Sequence, residues 1–183
     1  MVKIIPMDKS IFTSNAEGLP APQPDRPLMP DGYGIPESTS GTLPWSFVDE
    51  QMLTARNYWV VTVRPDGRPH AMPVWGAWLH GKLYIEGSPA TRRHRNITTN
   101  PNVVVHLEDG SQVVIIEGVA YEAGKPEPSL GAELSKAYTA KYKSLGYAPG
   151  PDNWDNGGLY VIQPQKVFAW TKFPTDTTRW VLA

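Results

Sequence analysis

The sequence predicts a mainly β protein, built as a closed or nearly closed antiparallel barrel. Short runs rich in Val, Ile, Tyr and Trp are separated by turn signals such as Pro65-Asp66-Gly67-Arg68 and Asp109-Gly110-Ser111. The few helical patterns fall between strand pairs, and no regular alternation of strand and helix indicates a parallel sheet. A barrel is favoured because closure removes exposed strand edges. A β-sandwich is the competing architecture.

The elements follow from hydrophobic spacing and turn residues. An amphipathic helix is predicted over residues 45–55 with Ser46 as its cap, and a longer helix over residues 128–146 with Ser129 as its cap. Pro73 cannot donate a ladder hydrogen bond and Gly76 has no side chain, so the second strand is broken or lies at an edge. The predicted strands cover residues 58–64, 69–79, 82–86, 102–108, 112–122, 159–163, 166–171 and 179–182.

The chain divides by composition into residues 1–44 and residues 45–183. The first part holds eight of the 19 prolines and none of the seven tryptophans, so a regular helix or central strand is excluded there. Apolar side chains punctuate it, which predicts an extended arm that packs on the body or on a partner subunit. These predicted anchors are Ile4, Ile5, Ile11, Phe12, Leu28, Met29 and Tyr33.

Composition excludes several function classes. The absence of cysteine rules out disulfides, thiolate nucleophiles and Cys-ligated metals. A net charge of −1 gives no global field that would recruit nucleic acid or an anionic membrane. The first ten residues lack a signal-peptide core, and no apolar run spans a bilayer. The sequence therefore predicts a soluble cytoplasmic protein.

The side chains offer no self-sufficient catalytic machinery. Nucleophile-elbow, P-loop, zinc-protease and dinucleotide motifs are absent. The four histidines lack ligand spacing, although His70 and His106 lie in strands that a barrel could bring together around a metal. We therefore expect that any catalysis uses a bound cofactor, which the protein positions.

The residues 87–96 are the best candidate for binding such a cofactor. Ser88 as N-cap and Pro89 as first helical residue predict a helix start, with Asn100-Pro101 as its stop. Free N–H groups at a helix start favour an anion, and Arg92 and Arg95 are three residues apart on one face. A phosphate site is one interpretation. A solvated basic helix without a ligand is the other.

Other residues could contact a flat heteroaromatic ring. The broken strand around Met72, Pro73, Val74 and Trp75 would expose backbone groups to such a ring, or it could form a bulge that closes the barrel. Gln112 could bind a ring carbonyl or cap a turn. The C-terminal aromatic and cationic residues could flank a ring or serve in core and dimer packing; they are Trp170, Lys172, Phe173 and Arg179.

The stretches 56–88, 91–109 and 112–120 resemble the split-barrel flavin-binding proteins related to pyridoxamine 5'-phosphate oxidase. They are most similar to the branch with flavin- and deazaflavin- (F420-) dependent oxidoreductases. Thr91-Arg92-Arg93 resembles the Ser-Arg-Lys phosphate-binding run of that family, and Arg95-Asn96 resembles the following Arg-Asn. The Arg-x-His tail motif of pyridoxamine-phosphate oxidation is absent, since the tail has Arg179-Trp180.

This resemblance implies a split β-barrel of the FMN-binding type. It implies that Arg92 and Arg93 contact the cofactor phosphate, that the ring stacks along Met72–Trp75, and that Gln112 lies near the ring. Family members are usually homodimers with cofactor sites at the interface, which assigns Trp170, Lys172 and Arg179 to the partner's site.

The expected function is therefore that of an FMN- or F420-dependent oxidoreductase. It would transfer hydride between the cofactor and a small organic substrate, without pyridoxamine-phosphate oxidase activity. The alternative is a non-catalytic flavin- or haem-binding protein, in which His70 or His106 would be the axial ligand.

Overall fold

The computed structural model describes residues 21–182 of the 183-residue chain. Within that range, three α-helices interrupt a set of eight β-strands. The helices are α1 (Trp45–Thr54), α2 (Arg92–Thr99) and α3 (Pro128–Tyr142). The strands are β1 (Tyr58–Val63), β2 (Pro69–Val74), β3 (Gly76–Leu79), β4 (Lys82–Glu86), β5 (Asn102–His106), β6 (Val113–Glu122), β7 (Leu159–Trp170) and β8 (Thr178–Val181). None of these helices is long and apolar enough to cross a bilayer.

All strands belong to one antiparallel sheet with the order β2-β1-β5-β6-β7-β4-β3, and β8 pairs with β7. The strands β2 and β3 lie at opposite ends of this path, yet Trp75 alone separates them in sequence. A flat sheet would hold its first and seventh strands about 29 Å apart, whereas one intervening residue spans at most about 7 Å. The sheet must therefore curl until its two ends meet, which confirms the predicted mainly β barrel with a split.

The split lies where the sequence carries Pro73 and Gly76. The predicted break in the strand over residues 69–79 is confirmed, because the chain leaves one end of the sheet at Val74 and enters the other at Gly76, which makes two strands of it. A Cβ atom at Gly76 would lie 2.9 Å from the carbonyl oxygen of Tyr84, so this crossing requires a residue without a side chain. The Gly76 N–H donates to Tyr142 Oη at 3.0 Å instead of to a strand.

Near the C-terminus, two strands were predicted over residues 159–163 and 166–171. The structure shows one twelve-residue strand there, β7. The register between β6 and β7 shifts at Gly118, which lies opposite Pro164. The shift admits the proline without ending the strand, because a bulge leaves one residue out of the ladder. A Cβ atom at Gly118 would overlap the carbonyl oxygen of Gln163, so the bulge depends on this glycine.

Two apolar clusters hold the fold together. The first fills the barrel and includes Tyr58, Val105, Ile116 and Trp180. The second lies between the outside of the sheet and α3. Its largest members are Tyr84, Tyr138, Tyr142 and Trp154.

The long helix α3 confirms the predicted helix, while the predicted caps need correction. The helix begins at Pro128 without a side-chain cap, and a 3₁₀ turn at Lys143–Leu145 ends at Gly146 with φ of 87°. Helix α1 likewise begins without a side-chain cap, after Pro44 instead of Ser46.

Helix α2 begins at Arg92, three residues later than predicted, and ends at Thr99, directly before the predicted stop at Asn100. Its cap is Thr91, whose Oγ1 accepts from the His94 N–H at 3.2 Å. Ser88 and Pro89 belong to a preceding turn, closed by the Thr91 N–H donating to the Ser88 carbonyl at 3.0 Å. Proline suits the second position of such a turn as well as the first position of a helix, and here the turn takes it.

Residues 21–44 contact β8 and the residues just before it at several points. Asp25 exchanges two backbone hydrogen bonds of 2.8 Å with Arg179. The buried Arg26 donates to four backbone carbonyls, those of Ser38, Ser40, Thr175 and Thr177. Three of the predicted apolar anchors are exposed on this chain, namely Leu28, Met29 and Tyr33. The other four, Ile4, Ile5, Ile11 and Phe12, lie outside the described residues.

Candidate functional site

The first turn of α2 presents two adjacent arginines in different directions. Arg92 is exposed. Arg93 turns inward, where its Nη2 donates to the Glu86 carbonyl at 2.6 Å and packs against Gly87. Burial lowers the pKa of Arg93. Arg92 is thus free to meet a ligand together with the first N–H groups of α2, whereas Arg93 ties the helix to β4.

A buried polar contact fixes the position of α2 against the sheet. Asn96 Nδ2 donates to Thr62 Oγ1 at 2.8 Å, and both side chains are completely buried. Thr62 Oγ1 donates in turn to the carbonyl of His70 at 3.3 Å, on the paired strand β2. This chain of bonds holds the middle of α2 against β1 and β2, close to the turn that joins them.

Positive charge therefore accumulates around His70. Partial burial lowers the pKa of its imidazole, and the nearby guanidinium groups of Arg64, Arg92 and Arg93 lower it further. Arg64 follows the last residue of β1, and its Nε is buried without a hydrogen-bond partner among residues 21–182. An uncompensated cluster of this kind suits an oxyanion, because charge-assisted hydrogen bonds would satisfy these donors.

The other predicted residues of this region are also accessible. Arg95 is exposed and lies one turn from Arg92 on the same helix. Thr91 caps the helix, and Ser88 Oγ accepts from the Ala90 N–H at 3.2 Å.

The strand β2 lies at one edge of the sheet and leads from His70 to Trp75. It pairs with β1 alone among the described strands, so the opposite backbone edge of Met72–Val74 is free. Met72 is 47% exposed and Trp75 is 38% exposed. The Trp75 ring stacks on Tyr142, with 4.6 Å between ring centroids and an interplanar angle of 11°. Tyr147 also lies near this indole, with 6.0 Å between ring centroids and an interplanar angle of 44°. Tyr142 therefore fixes the orientation of the ring, and its exposed part offers an aromatic surface to a flat ligand.

Next to this aromatic pair lies a half-buried lysine that was not predicted from the sequence as part of the site. Lys141 Nζ donates to Tyr58 Oη at 2.7 Å and to the Gly76 carbonyl at 3.1 Å. Burial lowers its pKa to about 7. The signal was present in the sequence, since Lys141 occupies a core-facing position in the spacing of α3.

The remaining predicted residues lie at the other end of the sheet. Gln112 precedes β6, is exposed, and accepts at Oε1 from Gln51 Nε2 at 3.3 Å. Trp170 pairs with Val113 at the end of β7, beside the exposed Lys172. Arg179 on β8 is bonded to Asp25.

The pairing of residues along β6 gives the distance from α2 to the group formed by Gln112, Trp170 and Lys172. Val113 pairs with Trp170, whereas Val119 pairs with Asn102, just after the end of α2. Six residues of strand separate these points, which is about 20 Å. One chain therefore does not bring Gln112, Trp170 and Lys172 next to Arg92.

A cavity of about 450 Å³ opens close to the turn before α2. Its ionisable lining residues are acidic, unlike the cationic residues at the start of α2. Its lining includes Glu86 and Glu122 along with Ser88, Trp154 and the loop 156–158. Burial raises the pKa of Glu86, whose Oε2 accepts from Tyr147 Oη at 2.5 Å. Two carboxylates make this cavity unsuited to a phosphate.

The possible histidine pair does not form. His70 lies opposite the inward-facing Thr62, whereas His106 lies opposite Trp59 and stacks on it with centroids 6.1 Å apart. Positions 59 and 62 of a strand face opposite sides of the sheet, so the two imidazoles point apart. Residues 21–182 contain no cluster of three or more His, Asp or Glu side chains able to hold a metal.

A single curled antiparallel sheet, split between β2 and β3 beside a cationic helix start, defines a split-barrel protein. The family model described as pyridoxamine 5'-phosphate oxidase matches residues 47–171. The chain belongs to this family.

Solved structures show the same fold at low sequence identity. A conserved hypothetical protein from Mycobacterium tuberculosis is 20% identical with a TM-score of 0.55, covering 70% of this chain and 85% of that chain. A structure described as an F420 reductase is 24% identical with a TM-score of 0.50, covering 64% and 94%. The haem storage protein HutZ from Vibrio cholerae is 18% identical with a TM-score of 0.51, covering 67% and 91%. A search of curated protein sequences finds no match.

Proposed function

We propose that the chain is an oxidoreductase that binds FMN, or alternatively F420, and passes hydride between this cofactor and a small organic substrate. The observation that carries the proposal is the uncompensated positive charge at the start of α2, formed by Arg92 and Arg64 next to His70. Membership of the family supports it, because that family includes oxidoreductases. The missing Arg-x-His tail motif argues against pyridoxamine-phosphate oxidase activity itself.

The residues present fit such a cofactor in two places. Arg92 and the first N–H groups of α2 would bind the phosphate. Trp75, held by Tyr142, and the free edge of Met72–Val74 would contact the ring. The bound cofactor would supply the hydride chemistry, while the protein orients the ring and limits water on the Trp75 side.

A homodimer with the cofactor at its interface is part of this proposal. The outer face of the sheet carries half-buried apolar side chains on four neighbouring strands, as a subunit interface would. These side chains are Trp59, Val61, Val104, Ile115 and Phe168. A second copy could bring its own Gln112, Trp170 and Lys172 to the α2 end of the first, which one chain cannot do.

Non-catalytic binding of flavin or haem is the second candidate. The observation in its favour is the structural similarity to a protein described as a haem storage protein. Because His70 and His106 face opposite sides of the sheet, each would have to serve as a single axial ligand.

Titration of the purified protein with FMN, oxidised F420 and hemin, followed by absorbance, tests these alternatives. We expect a flavin or deazaflavin spectrum that shifts on saturable binding, and weaker binding by Arg92→Gln. Lys136→Gln, an exposed cation on α3, is the matched control and should bind as wild type does. A Soret band that disappears in His70→Ala or His106→Ala, without binding of FMN or F420, would favour the second candidate.

Turnover distinguishes an enzyme from a binding protein. Reduced FMN or F420 bound to the protein should be reoxidised under anaerobic conditions by a panel of conjugated carbonyl and nitro compounds. Binding without reoxidation by any of them would count against the oxidoreductase proposal.

A further inference from the structure

The turn between β1 and β2 carries charged groups that face the start of α2 from the opposite side. His70 pairs with Thr62, and Thr62 is bonded to Asn96 of α2. Two residues beyond Thr62 the chain reaches Arg64, whose backbone N–H donates to the Arg68 carbonyl at 2.9 Å. The guanidinium groups of Arg64 and Arg92 both act on the imidazole of His70, so the three side chains lie close together. Arg64 and His70 come from the β1–β2 side, and Arg92 comes from the helix.

Neither group has a counter-ion in the described part of the chain. Arg64 Nε is buried and unpartnered. Asp66 interacts with Arg64 at a distance, but its carboxylate is paired with Arg68 at 2.6 Å. The charges that act on His70 all belong to arginines. Hydrogen-bond donors in this arrangement have no acceptor within the protein, and a bound anion would provide one.

We infer that Arg64 and His70 complete an oxyanion site together with Arg92, and that a divalent oxyanion binds there together with a proton on His70. The inference rests on the proposed function, because this anion would be the phosphate monoester of bound FMN. Arg64 and His70 would then bind the anion from the sheet, in addition to the Thr91-Arg92-Arg93 run at the start of α2.

The charges around His70 explain why this residue takes up a proton when the anion binds. Without an anion, burial and the arginines hold the pKa of His70 below its ordinary value, so the imidazole is neutral near pH 7. An oxyanion neutralises the arginines and accepts a hydrogen bond from the imidazolium, and both effects raise the pKa of His70. Anion affinity is then highest at low pH, and it falls as pH rises through the pKa of the complex.

Sulfate is a suitable probe, because it keeps its double charge between pH 5 and 8. NMR titration of the histidine ring protons, assigned with His70→Gln, gives the pKa of His70 in sodium chloride and in sodium sulfate of equal ionic strength. We expect sulfate to raise this pKa by about one unit, which corresponds to about tenfold tighter binding to the protonated form. An unchanged pKa of His70 would overturn the inference.

Two arginines of the same turn provide the matched variants. Arg64→Gln should remove most of the sulfate-induced change, whereas Arg68→Gln should leave it intact, since Arg68 is exposed and paired with Asp66. Equal effects of the two substitutions would contradict the role of Arg64. If the NMR spectra of both variants keep the chemical-shift dispersion of a folded protein, loss of structure is excluded as the cause.

FMN and F420 titrations separate this inference from the proposed function. If sulfate raises the pKa of His70 but neither cofactor binds, the oxyanion site stands and the cofactor proposal fails. If FMN or F420 binds without changing the pKa of His70, the cofactor proposal stands and the site is built differently.

Discussion

Replacing Lys141 with methionine should stabilise the protein near neutral pH and remove part of the pH dependence of its stability. Lys141 is half-buried, its Nζ donates to Tyr58 and Gly76, and it has no carboxylate partner within residues 21–182. A neutral amine has two protons for these two acceptors. An ammonium group would carry a third proton and an uncompensated charge.

The magnitude follows from the pKa of Lys141, about 7 in the fold against 10.5 for an ordinary lysine. Between these values the unfolded chain binds one proton more than the folded chain, so stability rises with pH over that window. The cost of burying this lysine is about 5 kcal/mol at pH 6 and about 2 kcal/mol at pH 9. The free energy of unfolding should therefore rise by about 3 kcal/mol across this range because of Lys141 alone.

Urea unfolding followed by tryptophan fluorescence at pH 6 and pH 9 measures this effect. Other groups titrate equally in both proteins, so the difference between wild type and Lys141→Met isolates the lysine. Lys136→Met, on the exposed side of the same helix, controls for the substitution itself. Parallel pH dependences for wild type and Lys141→Met would refute the reasoning.

Three further substitutions test local parts of the structure by thermal or urea unfolding. Thr62→Val leaves Asn96 Nδ2 without its buried acceptor and should cost about 1–3 kcal/mol, while an unchanged stability would mean that α2 is held elsewhere. Thr91→Ala removes the cap of α2 and should cost about 1 kcal/mol; Thr91→Ser, which retains the oxygen, should cost less. Gly118→Ala forces a Cβ atom onto the Gln163 carbonyl and should cost about 1–3 kcal/mol or more, and a neutral effect would show that the bulge can move.

The strands and turns were predictable because their signals are local. Alternation of Tyr58, Val60 and Thr62 with outward residues marks β1, and the burial along the strand follows it. The split was also signalled, by Pro73 and Gly76. The order of the strands was not, since β4 pairs with β7 across a long stretch of chain that no local pattern relates.

Within the candidate site, the motif was easier to predict than the direction of its side chains. Arg92 and Arg93 are adjacent in a cationic run and look equivalent in sequence. Successive residues of a helix point about 100° apart, so packing against Glu86 and Gly87 turns one inward and leaves the other free. Pro89 shows the same limit, because it suits both a turn and a helix start.

A comparison of FMN with riboflavin tests the central claim most directly, because the two ligands differ only in the phosphate. If Arg92 and its neighbours form a phosphate site, wild type should bind FMN at least about tenfold more tightly than riboflavin. Arg92→Gln should reduce this preference without changing the affinity for riboflavin. Equal affinities of wild type for FMN and riboflavin would contradict the account.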